Sequence, residues 1–369
     1  MGRWGEGKDG VDGDYGAATA AAVKVFQKDH TLSTTGKADV ATIQAVVAAI
    51  EAKENPVVLP EDPDEPDDDA QDDEPEPDES GTGDNGVIPD YMCPWIVATA
   101  KLNVRTGPGT SFKRKISLFS GTGLMYDGET KDGWYAVLYR GKHHWVSKKY
   151  SKVETLEKYI VDMSAYDQVE DWDTFVKYIS FAWLRVACRR ETEKGEVYID
   201  ANFRKYAAEL KKRGVPFGVY VYGRADTTAR GIQEAAAAVK WAEPYGPTVY
   251  MYDIEAPTLT QASCQAFIDE AKRLTSKPCG IYVGHHWSQV NAGAIRRDYT
   301  ICPYYRDNGG GTHGDRNPSH PHDGHQYSCS LIVPGKKDPG DVSHINADPK
   351  TNGTGHGILW LRTGGKEGA

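Results

Sequence analysis

The chain has 369 residues, 39% of them hydrophobic and 26% charged, a length and apolar content that suit two or three domains with real cores. Its formal net charge of −10 misleads, because Glu61 to Glu79 hold thirteen carboxylates, four prolines and no base, and without that run the charge becomes +3. No stretch reaches the roughly 18 apolar residues of a membrane span, and the six cysteines show neither CxxC spacing nor a disulfide framework, so most read as buried free thiols made in a reducing cytosol.

In chain order, the first element is a helical module over 1–52. Ala17 to Asp29 carries Val23, Phe26 and several alanines at helical spacing, Ala38 to Ala52 predicts a second helix, and Gly36 lies between them as a breaker. Residues 53–90, rich in Pro, Asp and Glu, cannot bury enough apolar surface to offset ordering entropy and are expected to be an extended, disordered linker. Residues 91–153 alternate short β-rich runs (Ile96–Ala98, Trp134–Tyr139, His144–Val146) with glycine turns, the pattern of a small all-β barrel. This module holds eleven Lys or Arg against three Asp or Glu.

From Tyr159 the pattern changes, and 156–363 form one large module. Strand-like Tyr159–Met163, Ala182–Ala187, Phe217–Tyr222, Val249–Ile254 and Gly280–Val283 alternate with helix-like Trp172–Tyr178, Asn202–Arg213, Gly231–Trp241 and Gln261–Leu274. Four β-then-α units in series predict an α/β fold with a parallel sheet, closed as a barrel.

The fourth strand ends in Asp253-Ile-Glu255. Side chains two apart on a strand share a face, so the two carboxyls lie roughly 6.6 Å apart by Cα at the end where barrels place catalysis. Two such acids raise each other's proton affinity, so one can stay protonated while the other is ionised, which is what glycoside cleavage needs. Alone, Asp-x-Glu is a weak pattern that a solvated strand end also produces. The first strand adds Asp162 at the same rim. Three acids could also hold a divalent cation, but the strand ends lack the histidines that metal hydrolases usually add. The glycine- and proline-spaced His313, His320, His322 and His325 read as a polar loop, so no metal or other cofactor is expected.

These residues resemble the glycoside hydrolase family 25 lysozymes, which include many phage endolysins. The resemblance runs through Asp162-Met-Ser164-x-Tyr166, Tyr198-Ile-Asp200-Ala-Asn-Phe203, Gly218-Val-Tyr220-Val-Tyr222, Asp253-Ile-Glu255, Gly280-Ile-Tyr282, Cys302-Pro-Tyr-Tyr305 and Gln326-Tyr327. It implies an incomplete (β/α) barrel that cleaves the β-1,4 bond between N-acetylmuramic acid and N-acetylglucosamine with retention. Glu255 would be the general acid/base. Asp253 and Asp162 would support it, either against a substrate-derived oxazolinium or as nucleophile. Tyr166, Tyr220, Tyr222, Tyr282, Tyr305 and Gln326 would line the substrate site. The chain departs from the family where His325 replaces a Trp and where Ser343-His344-Ile-Asn346 replaces an Asp-x-Asn, which would set His344 in the cleft unless Asp341 reaches in.

The basic module is similar to bacterial SH3-like wall-targeting domains in Leu102-Asn-Val-Arg105-Thr-Gly-Pro-Gly109, Asp132-Gly-Trp134-Tyr135 and Trp145-Val-Ser147. That resemblance makes Arg105, Trp134, Tyr135 and Trp145 candidate wall-binding residues; core packing is the alternative for at least one Trp. The basic patch has no recognition helix or stacking motif, so nucleic acid is not an expected partner. Asp12-Gly-Asp-Tyr15-Gly16 through Phe26-Gln27 is similar to a peptidoglycan-binding helical domain that looks truncated here. Together these features predict a modular muramidase, a phage or prophage endolysin, whose partners are peptidoglycan and associated wall polymers. It would be made in a host cytoplasm without a visible signal peptide and act at the bacterial wall. The alternatives are a bacterial autolysin of the same chemistry and a non-catalytic wall-binding protein.

Overall fold

The computed structural model describes residues 17–37, 42, 45, 88–191, 195–284, 290–305, 318, 321–345 and 356–366. The chain divides into two units, Met1–Gly83 and Asp84–Ala369. In the first, α1 (Ala17–Asp29) is followed by a turn organised by the buried Gln27. The Gln27 amide donates to Thr35 Oγ1 at 3.1 Å, Lys37 O at 2.9 Å and Thr42 Oγ1 at 2.8 Å, and its Oε1 accepts from Gly36 N at 2.9 Å. One side chain thus satisfies the polar groups of the turn that ends the helix. Most of the second helix expected over 38–52, and the linker up to residue 87, lie outside the described residues.

The second unit begins with seven antiparallel strands: β1 (Met92–Ala98), β2 (Leu102–Arg105), β3 (Arg114–Leu118), β4 (Gly123–Lys131), β5 (Trp134–Tyr139), β6 (Lys142–Ser147) and β7 (Ser151–Glu157). Their order in the sheet is β3-β2-β6-β5-β4-β1-β7, around a core of Ile96, Leu102, Val104, Leu118, Val137 and Val146. This is the small β module expected from the alternating runs. Only Lys158 separates β7 from the next strand.

The large module is built on β8 (Tyr159–Met163), β9 (Ile179–Arg189), β10 (Val197–Ile199), β11 (Phe217–Tyr222), β12 (Tyr250–Ile254), β13 (Cys279–Val283), β14 (Thr300–Pro303), β15 (Gly324–Leu331) and β16 (Gly340–Ile345). Between them run α2 (Trp172–Phe175), α3 (Phe203–Lys212), α4 (Thr228–Ala242) and α5 (Gln261–Thr275), and α6 (Ile358–Thr363) follows. The helix expected over Trp172–Tyr178 is a single turn, started by Asp171, whose carboxylate accepts from Thr174 N at 3.0 Å.

The sheet order β9-β11-β12-β13-β14-β15-β16-β8, with β8 also paired to β9, closes a ring of eight strands. The expected incomplete barrel is corrected here: the sheet itself is complete. Its irregularity is in direction, because β16 pairs antiparallel with both β15 and β8 while the other ring pairings are parallel. Antiparallel neighbours need no crossover helix, and among the described residues this arc of the ring lacks the helical cover of the βα units. The small β module covers part of it. Trp95 of β1 stands edge-on to Tyr159 at 5.5 Å, and Val97, Met125 and Leu138 share one core with Tyr159 and Tyr327.

Inside the barrel, Trp183 and Tyr299 stack at 5.8 Å and fill the floor beneath the site. They explain two glycines of the motifs. A Cβ on Gly218 would sit 2.4 Å from the Trp183 ring, and one on Gly280 would sit 2.3 Å from the Tyr299 ring. Both distances are inside van der Waals contact, so the floor needs a bare backbone on β11 and β13.

Candidate active site

Above that floor the C-terminal ends of the parallel strands open into a cleft of about 390 Å³. Asp162 reaches it from β8, Tyr220 and Tyr222 from β11, Asp253 from the end of β12 with Glu255 just beyond, and Tyr282 from β13. Strand register makes this convergence, since Asp253 lies opposite Tyr222 on one side and Tyr282 on the other. The same alternation that buries Val249 and Met251 in the barrel turns Asp253 inward.

The carboxyls are held in an environment that favours their neutral forms. Burial, with the charges of Glu255 and Asp162 beside it, pushes Asp253 well above the usual carboxylate range, and the nearby Arg185 opposes that rise. Asp162 is likewise raised, by burial and by Asp341, while a hydrogen bond with Tyr220 pulls it down. Burial and Asp341 also raise Glu255. Asp341 itself is pushed up to about 6 by burial and Asp167. Oδ1 of Asp253 is buried and accepts no hydrogen bond from a described residue.

The remaining lining is mostly fixed by hydrogen bonds. Tyr282 donates to Gln326 Oε1 at 2.7 Å, and the Tyr305 hydroxyl donates to the same oxygen. Asp167 accepts from Ser164 N at 2.7 Å and pairs with Lys336 at 2.5 Å, which ties the loop after β8 to the segment before β16. Tyr166, in contrast, is 82% exposed at the mouth, with the Arg185 guanidinium 5.1 Å from its ring centroid.

The sequence of residues 161–336 matches the profile of the glycosyl hydrolases family 25. The barrel is similar to the family 25 glycosyl hydrolase domains. Residues 3–46 match a peptidoglycan binding domain and 100–152 a bacterial SH3 domain. A comparison with curated proteins finds no match. Among solved structures, the chain is similar to the catalytic domain of the endolysin ply40 from bacteriophage P40 of Listeria monocytogenes. The identity is 22%, the match covers 56% of this chain and 97% of that one, and the TM-score is 0.48. It is also similar to a glycosyl hydrolase 25 of Streptococcus pneumoniae (25% identity, 51% and 87% covered, TM-score 0.46). A third likeness is to the modular autolysin LytC of the same organism (17% identity, 67% and 58% covered, TM-score 0.45).

In the barrel, the cleft contains Asp162, Asp253, Glu255, Tyr166, Tyr220, Tyr222, Tyr282, Tyr305 and Gln326 together. His344 is corrected. It is buried on the outer face of β16, 5.3 Å from His325 and 5.8 Å from Tyr327 by ring centroids, while Asp341 of the same strand lines the cleft. Sequence reasoning missed Arg185, whose signal was one arginine inside the otherwise apolar run Ala182–Ala187. Among the described residues no group of three or more His, Cys, Asp or Glu is arranged to hold a metal ion; His313 and His320 lie outside the described residues.

In the SH3 module, the Arg105 guanidinium turns back on its own loop, donating to Thr110 O at 2.8 Å and Phe112 O at 3.0 Å. Trp145 is buried, edge-on to His143 at 4.9 Å. Trp134 and Tyr135 are half-buried, with the Lys148 ammonium 4.9 Å from the Tyr135 centroid. Arg105 therefore shapes its loop and Trp145 packs, whereas Trp134 and Tyr135 keep surface that a ligand can reach.

Proposed function

We propose that this cleft cleaves the β-1,4 bond between N-acetylmuramic acid and N-acetylglucosamine in bacterial peptidoglycan. The observation that carries the reading is the inward pair Asp253 and Glu255 at the mouth of a family 25 barrel. Glu255, held protonated by burial and by Asp341, gives its proton to the glycosidic oxygen as the bond to the anomeric carbon breaks. Asp253, whose carboxylate form the nearby Arg185 favours, faces the positive charge that develops at that carbon, and its Oδ1, which accepts from no described residue, suits contact with a substrate group. The carbon is meanwhile bonded from its other face, by the substrate's own acetamido oxygen as an oxazolinium or by an aspartate carboxylate. Glu255, now a carboxylate, takes the proton of the water that displaces that bond, and the configuration is retained. Asp162, from β8, adds negative charge beside Asp253. Tyr166, at the open mouth, offers a flat face for a sugar.

The domains divide as 1–52, 53–90, 91–153 and 156–363 in this reading, and the SH3 module, through Trp134 and Tyr135, holds the hydrolase on its polymer. Such tethering raises the local concentration of cleavable bonds. Mass spectrometry of peptidoglycan digested by the full chain tests the reaction. New reducing muramic acid ends are expected. New amino termini, or no products, would overturn it.

A further inference from the structure

Of the side chains that line the cleft among the described residues, five are carboxylic acids and one, Arg185, is a cation. Lys336, the nearby lysine, is buried and paired with Asp167. Arg185 follows Phe181 and Trp183 on the inward face of β9, a position where the strand otherwise presents apolar rings. A half-buried arginine there needs a partner, and Asp200 provides it. Nε and Nη2 each lie 2.8 Å from Asp200 Oδ2, and the Asp200 side chain is 1% exposed. Asp200 is itself anchored, accepting from Ala165 N at 3.0 Å and from Asn202 N at 2.9 Å. It does not line the cleft, so its geometry serves the arginine and the loop after β8.

We propose that Arg185, clamped by Asp200, is a positioning residue that supplies the counter-charge favouring the ionised forms of Asp162 and Asp253. This rests on the hydrolase reading of the cleft. Two observations support this role. Among the described residues, Arg185 is the one cation lining the cleft beside them, and its charge opposes the rise that burial and the neighbouring acids impose on Asp162 and Asp253, whereas Glu255 responds to burial and to Asp341. The other groups facing the two aspartates act against ionisation or are neutral at working pH. Asp167, Glu255 and Asp341 are acids, and Tyr220 is a phenol raised well above its ordinary range by burial. Without the cation, ionising Asp162 or Asp253 means adding charge to a buried cluster that is already acidic.

The test is the pH dependence of kcat/KM on purified peptidoglycan for wild type, Arg185→Gln and Arg185→Lys, with reducing ends as the signal. A unit charge several ångströms away in a partly buried site moves a carboxyl by about one to two pH units. Arg185→Gln should therefore move the acidic limb upward by that amount and leave the alkaline limb, set by Glu255, in place. Arg185→Lys should return the acidic limb to within a few tenths of a unit of wild type. An unmoved acidic limb in Arg185→Gln, or an equal shift in both variants, would overturn the proposal. If Arg185→Gln does not fold, Arg185→Lys decides alone: a limb at its wild-type position supports the counter-charge role, and a displaced one refutes it. A wild-type enzyme that releases no reducing muramic ends would instead sink the underlying reading, which separates the two failures.

Discussion

Replacing Trp95 by Ala should destabilise the catalytic barrel, although Trp95 belongs to the SH3 module. Trp95 is 2% exposed, meets Tyr159 of the first barrel strand edge-on, and donates from Nε1 to Glu157 O at 3.1 Å. Glu157 in turn accepts from Ile345 N of β16 at 2.6 Å, so the contact passes from β1 to the antiparallel arc of the ring. Removing a buried tryptophan costs about 3–5 kcal/mol, through lost transfer energy and the cavity left behind. If the two modules melt as one unit, that loss lowers Tm by about 10 °C, taking about 2–4 °C per kcal/mol for a unit of this size. Differential scanning calorimetry of the full chain, with residual lytic activity measured after heating, reads both quantities. A single transition displaced with the activity is expected. Two transitions, with the larger one and the activity unmoved, would refute the shared core.

Other expectations follow from the cleft and the junction. Glu255→Gln should remove nearly all release of reducing ends while wall binding in a pull-down stays intact; turnover near wild type would remove Glu255 from its role. Asp341→Asn takes away a negative neighbour that raises Glu255, so the Glu255 pKa falls and the alkaline limb of the rate profile should move to lower pH. His344→Asp should leave that limb where it is, since His344 lies on the outer face; a clear shift would mean that it faces the cleft after all. Burial pushes Glu157 up to about 7, so the folded chain binds this proton more tightly than the unfolded one. Stability from this group is present below about pH 4.5 and falls by about 3 kcal/mol as pH rises through about 7. Glu157→Gln should flatten that fall in chemical denaturation, and an unchanged slope would argue against it.

The parallel half of the barrel was legible because its strands are uniform and its helices amphipathic. Phe217–Tyr222 is β11 as expected, and Gln261–Leu274 is one residue short of α5. The other half was not legible, because β15 and β16 adjoin without a helix and their pairing is interrupted by register shifts around Ser328. That is why motif spacing placed His344 where Asp341 belongs: on a strand, a displacement by an odd number of residues turns a side chain to the opposite face. Arg185 was passed over because a lone cation in an apolar run looks like an interruption until the ring brings it beside Asp253. Arg105 was legible as part of a motif, but spacing alone does not reveal that its guanidinium closes a loop.

The single residue between β7 and β8 has a mechanical meaning. A linker of one residue, flanked by paired strands and backed by a common core, leaves no swivel between the SH3 module and the hydrolase. An anchor of that kind fixes the attitude of the cleft toward whatever surface Trp134 and Tyr135 grip. A bound molecule would then reach only the glycosidic bonds on one narrow arc of the polymer. Further cutting would require it to let go and land again, so tighter anchoring should slow clearance of the wall once the bonds within reach are spent.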